Sequence, residues 1–334
     1  MHTDAFMEIG ATHLVCEDYA RGVTVQHKGE PLPLAVLSDG CSSSPDTDLG
    51  SRLLTWTAIQ EISWAGPAIQ VSVVAAASEQ AAQAGALTPQ SLDATLGVIV
   101  PDEGMIRVIL VGDGVLSARR RDGVIETWLI SFEAPNGQGA PGYLTYLRDS
   151  SRWHAWTQLD DKRESQPGFW NTRKVTRYLD GVLQDTESLE IKERAQISMH
   201  LLLNPLDYAF IAVFSDGVES FQRRGKEPFR IPLPASGAVD LPRQAQDTRV
   251  VNEGGRSYLV GDYLTKTLQP VSVHEVLKHC MAIKGSRGKF VTRRCRKFLN
   301  RFCTRNGWQH FDDFSMAALW TGDAQPEEAP GCGA

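Results

Sequence analysis

Acidic residues recur where apolar runs begin or end. Glu17-Asp18 precedes a β-rich run, and Ser38-Asp39-Gly40 and Gly112-Asp113-Gly114 each follow one. Ser215-Asp216-Gly217 closes the run Tyr208–Phe214, and Asp312-Asp313 opens Phe314–Trp320. A buried strand cannot keep an unpaired carboxylate in its interior, but its ends can present one at the rim of a sheet core. Aspartates that converge at such a rim repel one another unless cations lie between them. A donor set of oxygens, without His or Cys, selects hard divalent ions such as Mg²⁺ or Mn²⁺. A single Asp-Gly is an ordinary turn. Five acidic sites in this order, each against an apolar run, are better explained by a metal centre. The glycine after Asp39 also lets a backbone carbonyl approach an ion with no side chain in the way.

The elements that must position these residues can be read from periodicity. Val23–Gln26 and Leu34–Leu37 form short strands about the turn Lys28-Gly29-Glu30-Pro31. A helix is expected over 49–64, with Leu53, Leu54, Ala58 and Ile62 on one face, and a second over the alanine-rich stretch 71–84. Thr95–Val100 and Ile106–Val111 read as a hairpin through Pro101-Asp102-Glu103-Gly104, and 124–132 continues the sheet. Gly137–Gly142 reads as a loop, 143–159 as further strand, and Pro228–Pro242 as a loop or insertion. Helices are expected over 273–281 and 292–303. With no internal repeat and no long linker, the expectation is one domain over 1–322, with insertions near 137–197 and 225–270 and a flexible tail at 323–334.

Composition narrows the function classes. The 334 residues are 42% hydrophobic, enough for a sizeable core, and no run approaches the ~18 apolar residues of a membrane span. Met1-His2-Thr3-Asp4 has neither the basic nor the apolar region of a secretory signal. The six cysteines show no CxxC pair, which suits reduced thiols in a cytoplasmic protein. A net charge of −6 argues against a general nucleic-acid binder. The charge is uneven, however. No acidic residue lies between Glu275 and Asp312, while Lys278, Lys284, Arg287, Lys289, Arg293, Arg294, Arg296, Lys297, Arg301 and Arg305 all fall there. This is either a solvated helix face with a basic loop or a patch that attracts phosphate or an acidic partner. On the predicted 292–303 helix, Phe298, Leu299 and Phe302 would pack inward and Arg294, Lys297 and Arg301 point out.

The ordered set of motifs resembles the metal-dependent protein phosphatase family, type 2C, in its compact bacterial branch. The resemblance rests on Glu17-Asp18, Ser38-Asp39-Gly40-Cys41-Ser42-Ser43-Ser44 with Leu49-Gly50, Asp93-Ala94-Thr95-Leu96, Val111-Gly112-Asp113, Phe214-Ser215-Asp216-Gly217 and Asp312-Asp313-Phe314-Ser315. It implies an α+β fold, an αββα sandwich of two central antiparallel sheets flanked by helical layers, with a binuclear metal site at one end. It implies hydrolysis of phosphoserine and phosphothreonine by a metal-activated water, with two Mn²⁺ or Mg²⁺ ions bound tightly and a third more loosely. Asp39 would bridge the two main ions. Asp216 and Asp312 would complete one site, and the Gly40 carbonyl with Glu17 or Asp18 the other. Asp113 would help hold the third ion, and Asp313 would support the ligands from behind.

Three positions depart from the family pattern. His13 stands where many relatives carry an arginine that grips phosphate, so it is either a phosphate contact and proton donor or a structural histidine. Cys41 stands where many eukaryotic relatives carry a catalytic histidine, and Gly114 replaces a usual serine. Cys16 and Cys41, beside carboxylates that disfavour thiolate, read as packing residues. The implied partners are a phosphoprotein substrate and a cognate serine/threonine kinase, with no nucleic acid or membrane, and a monomer is expected. One alternative is a catalytically weak phosphatase-like module that binds a kinase or phosphoprotein. A phosphodiesterase acting on nucleic acid through the basic segment is a third, opposed by the net charge.

Overall fold

The structure, a computed structural model, describes residues 1–134, 139–157, 171–234, 239–242 and 245–322. In chain order the strands are His2–Glu8 (β1), Tyr19–His27 (β2), Glu30–Ser38 (β3), Leu96–Asp102 (β4), Met105–Val111 (β5), Gly114–Arg120 (β6), Ile125–Glu133 (β7) and Thr172–Leu179 (β8). They continue as Val182–Glu190 (β9), Ser198–Leu203 (β10), Tyr208–Phe214 (β11), Phe221–Pro232 (β12), Ala245–Glu253 (β13), Arg256–Pro270 (β14), Trp308–His310 (β15) and Phe314–Trp320 (β16). The main helices are Thr47–Ala65 (α1), Val71–Ala84 (α2), Ser150–Thr157 (α3), Val273–Cys280 (α4) and Phe290–Lys297 (α5). One sheet has the order β1-β16-β11-β6-β7-β8-β9, and the second β10-β5-β4-β3-β2. A third, β13-β14-β12-β15, is built mostly from the 221–270 stretch. Every ladder is antiparallel.

The four-layer order follows from side-chain alternation, because successive residues of a strand face opposite sides of the sheet. On β11, Ile211 and Val213 enter a core shared with the second sheet and α1–α2, while Phe210, Ala212 and Phe214 enter another core with α4 and α5. On β16, Ala317 and Leu319 take the first side and Met316, Ala318 and Trp320 the second. The paired strands are therefore apolar on both faces, which is why they read as continuous runs. This is the αββα sandwich expected above.

Turn chemistry sets the register. Lys28 (φ 51°) and Gly29 (φ 84°) close the β2–β3 hairpin, and Glu103 (φ 48°) and Gly104 (φ 81°) the β4–β5 hairpin. Consecutive positive φ values are those of the tight turn that matches strand twist. Helix α1 buries Leu54, Ala58 and Ile62 and partly buries Leu53, and α2 spans the expected 71–84.

Three expectations need correction. The 143–159 stretch is helical rather than strand over its described part: Leu144–Leu147 is a 3₁₀ turn and Ser150–Thr157 is α3, while 158–159 lie outside the described residues. Aromatic packing overrides strand propensity here. Trp156 lies 5.5 Å from the rings of both Tyr146 and Trp153 and 6.1 Å from Phe132. The expected loop Pro228–Pro242 begins as strand: β12 runs to Pro232, and Pro228 is tolerated because β12 is paired there only with β14, through Asp262. The 292–303 helix exists, starting at Phe290 and widening to a π-helix over Phe298–Cys303, but Arg294 does not point out. Its Nε donates to the His279 carbonyl at the end of α4. Of the predicted 137–142 loop, 137–138 lie outside the described residues, as does the 323–334 tail.

Candidate active site

Asp39 follows β3, and its backbone is held rigidly. Asp39 N donates to Thr95 Oγ1 (3.2 Å), Thr95 N donates to the Asp39 carbonyl (2.8 Å), and Ser38 Oγ donates to the Thr95 carbonyl (2.7 Å). Gly40 is required by close approach, since a Cβ there would lie 2.9 Å from both the Glu17 and Thr47 carbonyl oxygens. The Asp93–Thr95 segment thus works as the bracket behind Asp39. Asp93 is itself fixed by hydrogen bonds from Ser44 Oγ (2.9 Å) and Thr145 Oγ1 (3.0 Å) and an ion pair to Arg152 (2.6 Å).

Asp113 sits between β5 and β6, flanked by Gly112 (φ 86°) and Gly114 (φ 128°). A Cβ on Gly114 would meet the Phe214 carbonyl at 2.8 Å, which gives a physical reason for glycine where serine is usual. Asp216 starts the 3₁₀ turn Asp216–Glu219 directly after β11. Ser220 ties that turn to the last ligand: its Oγ donates to the Gly217 carbonyl (2.8 Å) and accepts from the amides of Phe311 (3.2 Å) and Asp312 (3.1 Å). Sequence reasoning missed Ser220 and Glu219. Glu219 adds to the negative field on Asp113, and its signal was an acid three residues after Asp216.

The structure brings Asp18, Asp39, Asp113, Asp216 and Asp312 to one end of the sandwich. Asp39 is pushed well above the usual carboxylate range by burial and by Asp18, Asp216 and Asp113, in that order. Burial and then Asp216 raise Asp113, and burial and then Asp312 raise Asp216. Asp18 is 1% exposed and burial pushes its carboxyl up to about 7; its oxygens lie against the Asp39 carboxylate and the Ser315 and Ser215 hydroxyls without a well-formed hydrogen bond. Such a crowd of carboxylates, with Asp18 buried among them, is unfavourable by itself, and interposed divalent cations would satisfy it. The residues therefore fit hard metal ions. Glu17 differs, because its Oε1 already accepts from Thr47 Oγ1 (2.9 Å).

Asp313 does not open into the cluster. It is 2% exposed, and its two oxygens accept from Gly10 N (2.7 Å) and Glu17 N (2.5 Å). It clamps the 10–17 loop to β16. His13 lies on this loop with Nε2 3.2 Å from Asp312 and Nδ1 3.2 Å from Asp313 and 3.8 Å from Glu17. Burial opposes its charging, but Asp313, Asp312 and Glu17 outweigh it and raise its pKa. His13, Glu17 and Asp313 also offer ligand atoms within 4.8 Å of one another, yet Asp313 is spent on backbone amides. Burial first, then Asp313 and Asp18, push the Cys16 thiol up to about 12, so it is no nucleophile.

A family profile described as Protein phosphatase 2C matches residues 10–236, more than half of the chain. The chain belongs to the protein phosphatase 2C family. This phosphatase is accordingly a metal-dependent hydrolase of phosphoserine and phosphothreonine in protein substrates. The matched range includes His13, Glu17, Asp18, Asp39, Gly40, Asp113 and Asp216 and ends before Asp312, which the pairing of β16 with β11 brings to the same rim. Among solved structures it is similar to a bacterial serine phosphatase, with 10% identity, 98% of this chain and 100% of that chain covered, and a TM-score of 0.47. Others are serine/threonine phosphatase Stp1 from Staphylococcus aureus (11% identity, 96% and 95% covered, TM-score 0.46) and the Mycobacterium tuberculosis serine/threonine phosphatase PstP/Ppp (11%, 95% and 97%, 0.42). A search of curated proteins returned no match. Among the described residues no helix is long and apolar enough to cross a membrane.

Proposed function

We propose that this phosphatase works with two Mn²⁺ or Mg²⁺ ions held among Asp18, Asp39, Asp216 and Asp312, and a looser third ion at Asp113 and Asp216. Asp39 would serve both main ions. The Gly40 carbonyl would assist on the Asp18 side. The observation that carries the reading is the buried Asp18 carboxylate pressed against Asp39, and it favours Asp18 over Glu17, whose Oε1 is taken by Thr47, as the direct ligand. Bound ions would lower the pKa of a water to supply the nucleophile and would neutralise the phosphoryl oxygens.

The chain's own groups do the remaining work. Thr95 and Gly40 hold Asp39 in place, and Ser220 fixes the backbone of Asp312. His13 Nε2 lies beside Asp312, where a proton on it would steady that carboxylate or pass to a leaving alkoxide. Tyr143 packs beside Cys41, which puts the 139–157 segment next to the turn that follows Asp39. In this reading residues 1–322 act as one catalytic unit with the β8–β9 hairpin and the third sheet as insertions. The phosphoester would be written by a serine/threonine kinase, with both activities in the cytoplasm.

The test is hydrolysis of a phosphothreonine peptide by the full chain with Mn²⁺ and after thorough chelation. Activity that survives chelation refutes the metal reading. Asp18→Asn should lose more metal affinity than Glu17→Gln, and the reverse order would transfer the ligand role to Glu17.

A further inference from the structure

A cavity of about 700 Å³ opens between the 282–287 loop and α5, lined by Lys284, Arg287, Arg293, Arg294 and Lys297 around Phe290 and Ser286, with no carboxylate on its walls. Two of its guanidiniums are preset. Arg293 donates to the Arg287 carbonyl, and Arg294 to the His279 carbonyl, leaving their other N–H groups in fixed directions. Lys284, Arg287 and Lys297 are exposed. The amides at the start of α5 are taken, since Asp4 Oδ2 accepts from Val291 N (2.7 Å) and Thr292 N (3.1 Å). The side chains therefore carry the positive field, and the helix end adds nothing to it.

The Phe290 end of this cavity is remote from the catalytic carboxylates, while Lys297 at its other end adjoins Phe298, which packs on Phe221. The cavity floor, Phe290, packs on Trp320 (6.5 Å between ring centres) and Phe210 (6.2 Å), at the end of β16 and β11 remote from Asp312 and Asp216. At about 3.3 Å per residue, the rise along β16 puts roughly 20 Å between the two ends. A ligand seated at the Phe290 end therefore lies outside the reach of the phosphoester cleft itself.

We propose that this cavity is a docking site for an acidic tract of the phosphoprotein substrate, separate from the phosphoester being cleaved. Two features favour a peptide over other polyanions. Phe290 is 3% exposed and cannot stack on a base. The cationic rim lacks exposed large apolar side chains that would enter a lipid surface. The spacing also sets a rule for substrates: at least about six extended residues must separate the tract from the phosphorylated residue.

The proposal rests on the phosphatase reading only for the source of the tract, and direct binding separates the two. Fluorescence anisotropy with a labelled oligoglutamate peptide at low salt is the first measurement. Replacing Lys284, Arg287 and Lys297 together by alanine should weaken binding about tenfold, as three exposed ion pairs would. The charge-conserving set Lys284→Arg, Arg287→Lys and Lys297→Arg should retain it. On a phosphothreonine peptide carrying a distal glutamate tract, the alanine variant should lose the KM advantage of the tract. It should keep the wild-type rate on a small aryl phosphate and on the peptide without the tract. Unchanged oligoglutamate binding in the alanine variant overturns the proposal. So does a wild-type KM indifferent to the tract, or preferential binding of anionic vesicles or single-stranded DNA. A wild-type chain that binds oligoglutamate at this site but hydrolyses no phosphoester overturns the catalytic reading and leaves the docking site standing.

Discussion

Replacing Arg152 by methionine tests whether the bracket behind Asp39 is held by an ion pair from α3. Arg152 reaches Asp93 Oδ2 at 2.6 Å and Thr145 Oγ1 at 3.1 Å, and Asp93 is only 4% exposed in its side chain. Methionine keeps the aliphatic stem but strands a buried carboxylate. Removing one partner of a buried pair costs about 3–5 kcal/mol. Ser44 and Thr145 still donate to Asp93, which favours the lower end. At about 1.4 °C per kcal/mol for a chain of this size, the melting temperature should fall by about 4 °C. Differential scanning fluorimetry reads it directly. Adding Asp93→Asn to Arg152→Met should recover more than half of the loss, because the stranded charge is then gone. A fall under about 1 °C for the single variant, or a double variant no more stable than the single, would refute the reasoning.

Asp39→Asn should abolish most turnover on a phosphopeptide. In the presence of chelator it should raise the melting temperature, since it relieves repulsion from Asp18, Asp216 and Asp113; a lower value in chelator would contradict the crowded-carboxylate account. Asp313→Ala removes the acceptor of two backbone amides, at a cost of about 1.5–3 kcal/mol for each charge-assisted bond, and should lower kcat while leaving metal-free folding detectable by circular dichroism. Wild-type kcat in that variant would show that the 10–17 loop needs no clamp. Gly50→Ala should fail to give soluble protein, because its Cβ would fall 1.5 Å from the Ser91 carbonyl oxygen; normal expression and melting would mean the α1 junction is loose.

The acidic cluster could be read from the sequence because its members lie at strand ends, where one apolar run after another fixes their place. The same dipeptide elsewhere shows why spacing mattered. Asp180-Gly181, with φ of 47° and 82°, is an ordinary hairpin turn between β8 and β9. That hairpin escaped notice because its strands are mostly half-buried or exposed and carry little alternation. Helix α3 was hidden by its aromatic residues, whose strand preference reflects packing surfaces rather than backbone. Its start was signalled all the same: Asp149 Oδ1 accepts from the amides of Ser151 and Arg152, as an N-terminal cap does. The division of labour between Asp312 and Asp313 depends on which faces the loop from Gly10, and that is a tertiary fact. The distal position of the Phe290 end of the basic cavity follows from Phe290 docking on Trp320, a contact between residues 30 apart that no local pattern announces.

The place of β16 has a consequence for the order of synthesis. It lies between β1 and β11, so the strand at residues 2–8 is held in the sheet by one that is made only after the rest of both sheets. Until β16 is made, β1 and β11 have no common neighbour, and Asp312 has not reached Asp216. Contacts of such separation slow folding. They also mean that a nascent chain stalled before residue 312 has no complete acidic site, so this phosphatase becomes competent only once β16 has been made.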